Sequence, residues 1–209
     1  FFGIINIKTT GSLTEDLPRD GSLYKDLRFF EDNFGGVMPL EVIVNTKKKN
    51  GILKSYNLIK MDSLKNILEG YPEFSKTLSY IDILKYSKQA FYNGDPAFYS
   101  LPNSQEQRMV LPYLKSIIGK MDMGWVLMDS LKQESRVSLR VADVSTSKMD
   151  SIFDDLKPRI NSIFNSEKYN VKITGTSIVF LNGTKFLIKN LFLSLLLVIL
   201  LISIFMAWM

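Results

Sequence analysis

From Met38 to Thr46 the side chains alternate, with Leu40, Val42 and Val44 on one face and Glu41 and Asn45 on the other. A period of two predicts a strand with one buried face. Lys47-Lys48-Lys49 and the turn signal Asn50-Gly51 end it. Val137, Leu139 and Val141 alternate with Ser138 and Arg140, which predicts a second such strand over 136–141. The short apolar run Trp125-Val126-Leu127-Met128, with a turn over Asp129–Gln133, reads as its hairpin partner, and Tyr169–Ile173, before Gly175, reads as the last strand. Other segments carry helical spacing instead. Leu58, Met61, Leu64, Ile67 and Leu68 predict a helix over 57–69, closed by Gly70 and Pro72. Met149, Ile152, Phe153, Leu156, Ile160, Ile163 and Phe164 predict another, capped by Ser145 or Thr146 and kinked at Pro158. Ser22 is placed to cap a helix through Leu23, Leu27 and Phe30 that stops at Asn33-Phe34-Gly35-Gly36. Further helices are expected at Tyr80–Tyr92 and around Glu106–Ile118, the latter broken near Pro112.

The resulting order is strand, helices, strand, strand, helix, strand. It predicts an α+β domain of ferredoxin-like βαββαβ order with a helical insertion at 70–120. One-sided alternation fits a sheet with helices on one face and water or a neighbour on the other.

The pattern changes abruptly near the end. Every charged residue lies at or before Lys189, and Leu191–Met209 is apolar apart from Ser194 and Ser203. As a helix this run is roughly 28 Å long, close to the ~30 Å hydrocarbon core. Its seven Leu, three Ile, two Phe and one Val supply about −4 to −8 kcal/mol of insertion free energy. A core helix would show a polar face, and this one shows none. The expected organisation is therefore the end of an earlier membrane helix at 1–5, a leader and helix at 6–37, an α+β domain at 38–180, and a connector with a transmembrane helix at 181–209. Phe1 at the start and apolar residues at the end suggest a piece of a longer chain.

Composition narrows the chemistry. The chain has 209 residues, no Cys and no His, and a net charge of +5. Without His or Cys the common nucleophile–base arrangements and thiolate metal sites are missing, so no catalytic residue, metal or cofactor is expected. The lysine run reads as a solvated loop tip rather than a nucleic-acid surface, since no aromatic residues interleave with it. Glu15-Asp16, Glu31-Asp32 and Asp154-Asp155 are sequence neighbours, which do not face one another on a helix, and read as surface charge. Gly35-Gly36 lacks the context of a phosphate loop. Asn182-Gly183-Thr184 has the form of a glycosylation acceptor but sits a few residues from the apolar run.

Several segments taken together resemble a known family. Leu17-Pro18 with Asp20-Gly21-Ser22, Phe29-Phe30-Glu31, Phe34-Gly35-Gly36 and Pro39-Leu40-Glu41-Val42 are similar to the opening of a periplasmic loop in RND-superfamily exporters of the MMPL or Patched-like branch. Ile173-Thr174-Gly175-Thr176, then Leu187-Ile188 and the apolar helix, resemble that loop's exit into the second membrane helix. The resemblance implies a proton-driven exporter in a bacterial inner membrane, with this porter domain in the periplasm. It implies hydrophobic or amphiphilic small molecules or lipids as substrates, and the lipid bilayer and the rest of the transporter chain as partners. A second copy of the chain is a further partner open to it. The relay residues of that family lie in other helices, so none is expected here.

One feature of the insertion points to a site. Phe91, Tyr92, Phe98 and Tyr99 flank Asn93-Gly94-Asp95-Pro96. Such rings are commonly core; the functional reading is an apolar cleft or partner surface for greasy substrates. The alternative for the whole chain is a single-span, membrane-anchored binding or scaffold domain without transport. A membrane-bound enzyme is the least favoured. Lys185 and Lys189 before the span favour a cytoplasmic domain by the positive-inside rule, whereas the resemblance places it outside.

Overall fold

The computed structural model describes residues 14, 17–110, 112 and 127–209. Helix α1 spans Ser22–Phe34, β1 Met38–Asn45, α2 Ser55–Glu69, β2 Leu78–Ser79 and α3 Tyr80–Phe91. A single 3₁₀ turn follows at Pro96–Phe98, and residues 104–110 are helical. Strand β3 is Glu134–Val141, α4 Thr146–Ile163, β4 Asn170–Thr174 and α5 Thr176–Trp208.

The strands form one antiparallel sheet in the order β2-β3-β1-β4. In the β1–β3 register Leu40 faces Leu139 and Val42 faces Val137, so the alternating apolar residues of both strands share a face. That face is closed by Leu58, Met61, Leu64 and Leu68 of α2, Ile81 and Leu84 of α3, and Met149, Ile152, Phe153, Leu156 and Ile160 of α4, all buried. Each such side chain contributes on the order of 1.5–3 kcal/mol by leaving water. The other face carries Glu41, Arg136, Ser138 and Lys172, half-exposed or exposed, with Arg136 Nη1 3.2 Å from Glu41 Oε1.

Two details differ from the expectation. The fourth strand is Leu78–Ser79, paired with Ser138 and Val137 of β3, rather than 125–128. Trp125 and Val126 lie outside the described residues, and of the rest Met128 makes one isolated bridge to Ser135. Leu127 is helical and Met128 stands just before the turn that enters β3, in which Asp129 Oδ1 accepts from the backbone N–H groups of Gln133 and Glu134. The first helix is capped by Gly21, with Ser22 inside it. Ser145 caps α4, its Oγ accepting from Lys148 N–H. Helix α4 runs on through Pro158, leaving the Asp154 carbonyl without its intrahelical donor at an exposed position. The expected membrane stub at Phe1–Ile5, and most of the expected helix at Glu106–Ile118, lie outside the described residues.

Helix α5 is one unbroken helix of 33 residues, roughly 50 Å long. Its start is fastened to the sheet: Ser177 Oγ donates to Pro39 O at 2.7 Å, and Leu181 joins the core. Lys185 pairs with Asp150 at the start of α4. Beyond Leu181 no residue is buried, and this helix alone among the described residues is long and apolar enough to cross a membrane.

Gly175 makes the junction. Its φ is +115°, and an added Cβ would stand 2.6 Å from Pro39 O. Gly175→Ala should therefore destabilise the domain by about 2 kcal/mol or more. Gly183, helical with nothing within 4 Å of its virtual Cβ, should instead gain roughly 0.5–1 kcal/mol on substitution by Ala. Chemical unfolding of the two variants checks the opposite signs; equal effects would refute this account of the junction.

Candidate functional site

The predicted aromatic residues sit where α3 ends. Helix α3 stops at Tyr92, and Asn93 and Gly94 take positive φ. The Asp95 carboxylate then accepts from Ala97 N–H to start the 3₁₀ turn. This reversal lays Phe98 back against Tyr92: the rings stack with centroids 4.1 Å apart and planes 13° apart. Phe91 stands edge-on to Tyr92 at 5.4 Å. Tyr99 is not in that row. It pairs with Tyr86, one turn or so back along α3, at 4.9 Å. The rings are not core: Phe91 is 43% exposed, Tyr99 38% and Tyr86 63%. Tyr86 was not among the predicted residues, although it lies five positions before Phe91 on the same helix.

Under this aromatic shelf runs a charged seam that periodicity did not signal. Asp82, 5% exposed, is the centre of it. Its Oδ2 accepts from Ser79 N–H at 2.9 Å and Ser79 Oγ–H at 2.7 Å. Its Oδ1 takes the Lys65 ammonium and the Tyr99 hydroxyl, the latter at 3.3 Å. Lys65, 8% exposed, also reaches Glu69 at 3.0 Å, and Glu69 Oε1 accepts from Thr77 N–H and Oγ1–H. Two further lysines of α3 are held alongside: Lys85 by Asp62 at 2.6 Å, and Lys88 by Glu106 at 2.9 Å and Ser100 Oγ at 3.1 Å. Among the described residues no buried side-chain nitrogen or oxygen lacks a partner.

The electrostatics follow from these contacts. Burial alone would lower the Lys65 pKa, but its hydrogen bonds to Asp82 and Glu69 outweigh this and raise it. Burial would raise that of Glu69, and the Thr77 donors with Lys65 lower it. Tyr99 is raised, first by burial and then by the Asp82 charge. Glu106 is lowered, first by the Asn103 N–H. The seam is thus a set of mutually satisfied salt bridges, which ties α2, α3 and the 96–106 segment together beneath the rings. The one sequence signal for it was Ser79-x-x-Asp82, the spacing of a helix-start box.

No family model matches the chain, and no curated protein does either.

Exposed ring faces, with hydroxyls at Tyr86, Tyr92 and Tyr99, take apolar surface with a polar edge. Among the described residues no group of three or more Asp or Glu stands close enough together to hold a metal ion.

Proposed function

We propose that the chain is the extracytoplasmic domain and adjoining membrane helix of a proton-driven exporter of the RND superfamily, MMPL/Patched-like branch. In this reading the domain handles hydrophobic or amphiphilic substrates and makes or breaks no bonds. The observation that carries it is the rigid junction at Gly175–Ser177, through which one helix passes from the sheet into an apolar span. A domain fixed in this way moves with its membrane helix, as alternating access requires. The antiparallel order β2-β3-β1-β4 supports the finer fold reading, since a βαββαβ chain whose two crossovers each skip one strand arrives at that order. It departs from the simple form in having α3 and the 96–126 segment between β2 and β3. The aromatic shelf at Phe91, Tyr92, Phe98 and Tyr99 is the surface offered to substrate or to the rest of the transporter.

The second reading is a single-span, membrane-anchored binding or scaffold domain without transport, favoured by there being one candidate span among the described residues. Cysteine labelling in the cell separates the readings, on a chain with no Cys of its own. Single cysteines at Lys48 and Asp95, both exposed, should react with a membrane-impermeant maleimide once the outer barrier is opened. The rate at position 95 should change when an uncoupler collapses the proton gradient. Labelling only after lysis of the inner membrane sinks the exporter reading, and periplasmic labelling indifferent to the uncoupler favours the anchored binding domain.

A further inference from the structure

The end of the sheet farthest from α5 holds a second feature. Strand β1 starts beside Ser177 and runs away from it for eight residues, roughly 25 Å. Where it ends, the 46–51 loop, the first turns of α2 and residues 167–169 enclose a cleft of about 460 Å³. The scale is that of a small-ligand site. Lys47, Lys48, Lys60 and Lys168 line it, against one carboxylate, Glu167.

The cleft has a fixed frame. Asn57 is buried at its floor, donating from Nδ2 to Gly51 O at 2.7 Å and accepting at Oδ1 from Tyr169 O–H at 2.7 Å. These two bonds join the loop, α2 and the entry to β4. Gly51 leaves no room for a side chain, since a Cβ there would fall 2.0 Å from Thr46 Oγ1. Lys47 Nζ closes the rim by donating to the carbonyls of Ser166 and Glu167, both at 3.1 Å.

The positive charge in the cleft is not neutralised from within. Among the described residues Lys47, Lys48, Lys60 and Lys168 have no carboxylate partner, whereas the seam lysines 65, 85 and 88 all do. Lys60 Nζ lies instead over the Tyr169 ring, 4.5 Å from its centroid. Helix α2, whose first turn forms one wall, has no side-chain cap and no acidic residue in that turn. Its partial positive charge adds to that of the lysines.

We infer that this cleft is a binding site for a phosphomonoester, its phosphate held by Lys48, Lys60 and Lys168 and its organic group by the exposed ring of Tyr56. Lysine serves phosphate as a mobile point charge, and a doubly charged oxyanion matches an excess of ammonium groups better than a carboxylate. The cleft exceeds what bare phosphate fills, and the exposed Tyr56 ring on its wall suits an attached organic group. This holds whether or not the chain transports anything. The bound molecule is either a water-soluble ester or a lipid headgroup.

The test is calorimetric titration of the 209-residue chain in neutral maltoside micelles at low salt. Glycerol 3-phosphate should bind saturably, with a Kd on the order of 0.1–1 mM. The Lys48→Gln/Lys168→Gln pair, both exposed positions, should weaken binding about tenfold, and Glu167→Gln should tighten it by about threefold. Lys157→Gln, an exposed lysine of α4, should leave it unchanged. A gain from Glu167→Gln cannot come from damage to the fold. Dihexanoyl phosphatidic acid binding about tenfold tighter than glycerol 3-phosphate would identify a lipid source, and equal affinity a soluble one. No saturation by about 10 mM, an unchanged affinity in the double variant, or equal binding of dihexanoyl phosphatidylcholine would overturn the proposal.

Discussion

Lys65→Met should lower the stability of the folded domain by about 3 kcal/mol at neutral pH, the lower end of what breaking a buried ion pair costs. Methionine preserves the length and most of the packing of the lysine stem, so the loss is that of the ammonium. Asp82 is then left buried with its charge supported by Ser79 and Tyr99 alone. Glu69 contributes less to the loss, because its side chain keeps 29% of its exposure and solvent screens it. For a domain of this size the melting temperature falls by roughly 6–12 °C. Adding Asp82→Asn to Lys65→Met removes the orphaned charge and should recover at least half.

The pH dependence gives a second reading of the same pair. The Lys65 pKa is raised above its ordinary 10.5, so its contribution is complete below 10.5 and is lost as pH rises through the higher folded value. The Glu69 pKa is lowered below its ordinary 4.5, so its contribution is present above 4.5 and is lost as pH falls through the lower folded value. Wild type should be flat between these limits. Lys65→Met should make the acid limb shallower, because Glu69 then loses the ammonium that helps to hold its pKa down. Near-UV circular dichroism melts across pH measure both. A variant within about 1 kcal/mol of wild type, or one with an unaltered acid limb, would show the seam to be solvated.

The sheet's two central strands were legible because one-sided burial imposes a period of two, seen at Leu40, Val42 and Val44 and again at Val137, Leu139 and Val141. Helices α2 and α4 were legible for the corresponding reason, each burying a single face. Strand β2 was not. Two residues cannot show alternation, and Leu78–Ser79 is a strand only because β3 offers it a partner. The apolar run at 125–128 attracted the assignment instead, although of its described residues, Leu127 and Met128, only Met128 bridges to β3. The aromatic quartet was read as one group, and its division into two depends on how the reversal at Asn93 and Gly94 lays the chain back on α3. The Lys65–Asp82 pair lies 17 residues apart on two helices, and periodicity treats helices one at a time. The phosphomonoester cleft was hidden for the same reason. Lys47 and Lys48 were read as a loop tip, and only folding brings Lys60 and Lys168 beside them.

Leu196→Arg/Leu200→Arg should abolish membrane association of the chain. Beyond Leu181 nothing on α5 is buried, so in water its apolar surface would form a patch far larger than soluble monomers carry. In a bilayer the same residues supply about −4 to −8 kcal/mol. Replacing one central Leu by Arg forfeits about 0.5 kcal/mol and adds roughly 2.5–3.5, so two replacements cancel most or all of the insertion energy. The two positions are four residues apart, so both charges fall on one side of the helix near the middle of the apolar run. Leu187→Arg is the control: it lies between Lys185 and Lys189, where basic residues already stand. Flotation with neutral liposomes reads the result. Wild type and Leu187→Arg should rise with the lipid and the double variant should stay in the dense fraction. A double variant that still floats with the wild-type share would mean that α5 is not what holds the chain to the membrane. The surface that does so would then have to be sought elsewhere, first among the exposed Leu23, Phe29, Phe30 and Phe34 of α1.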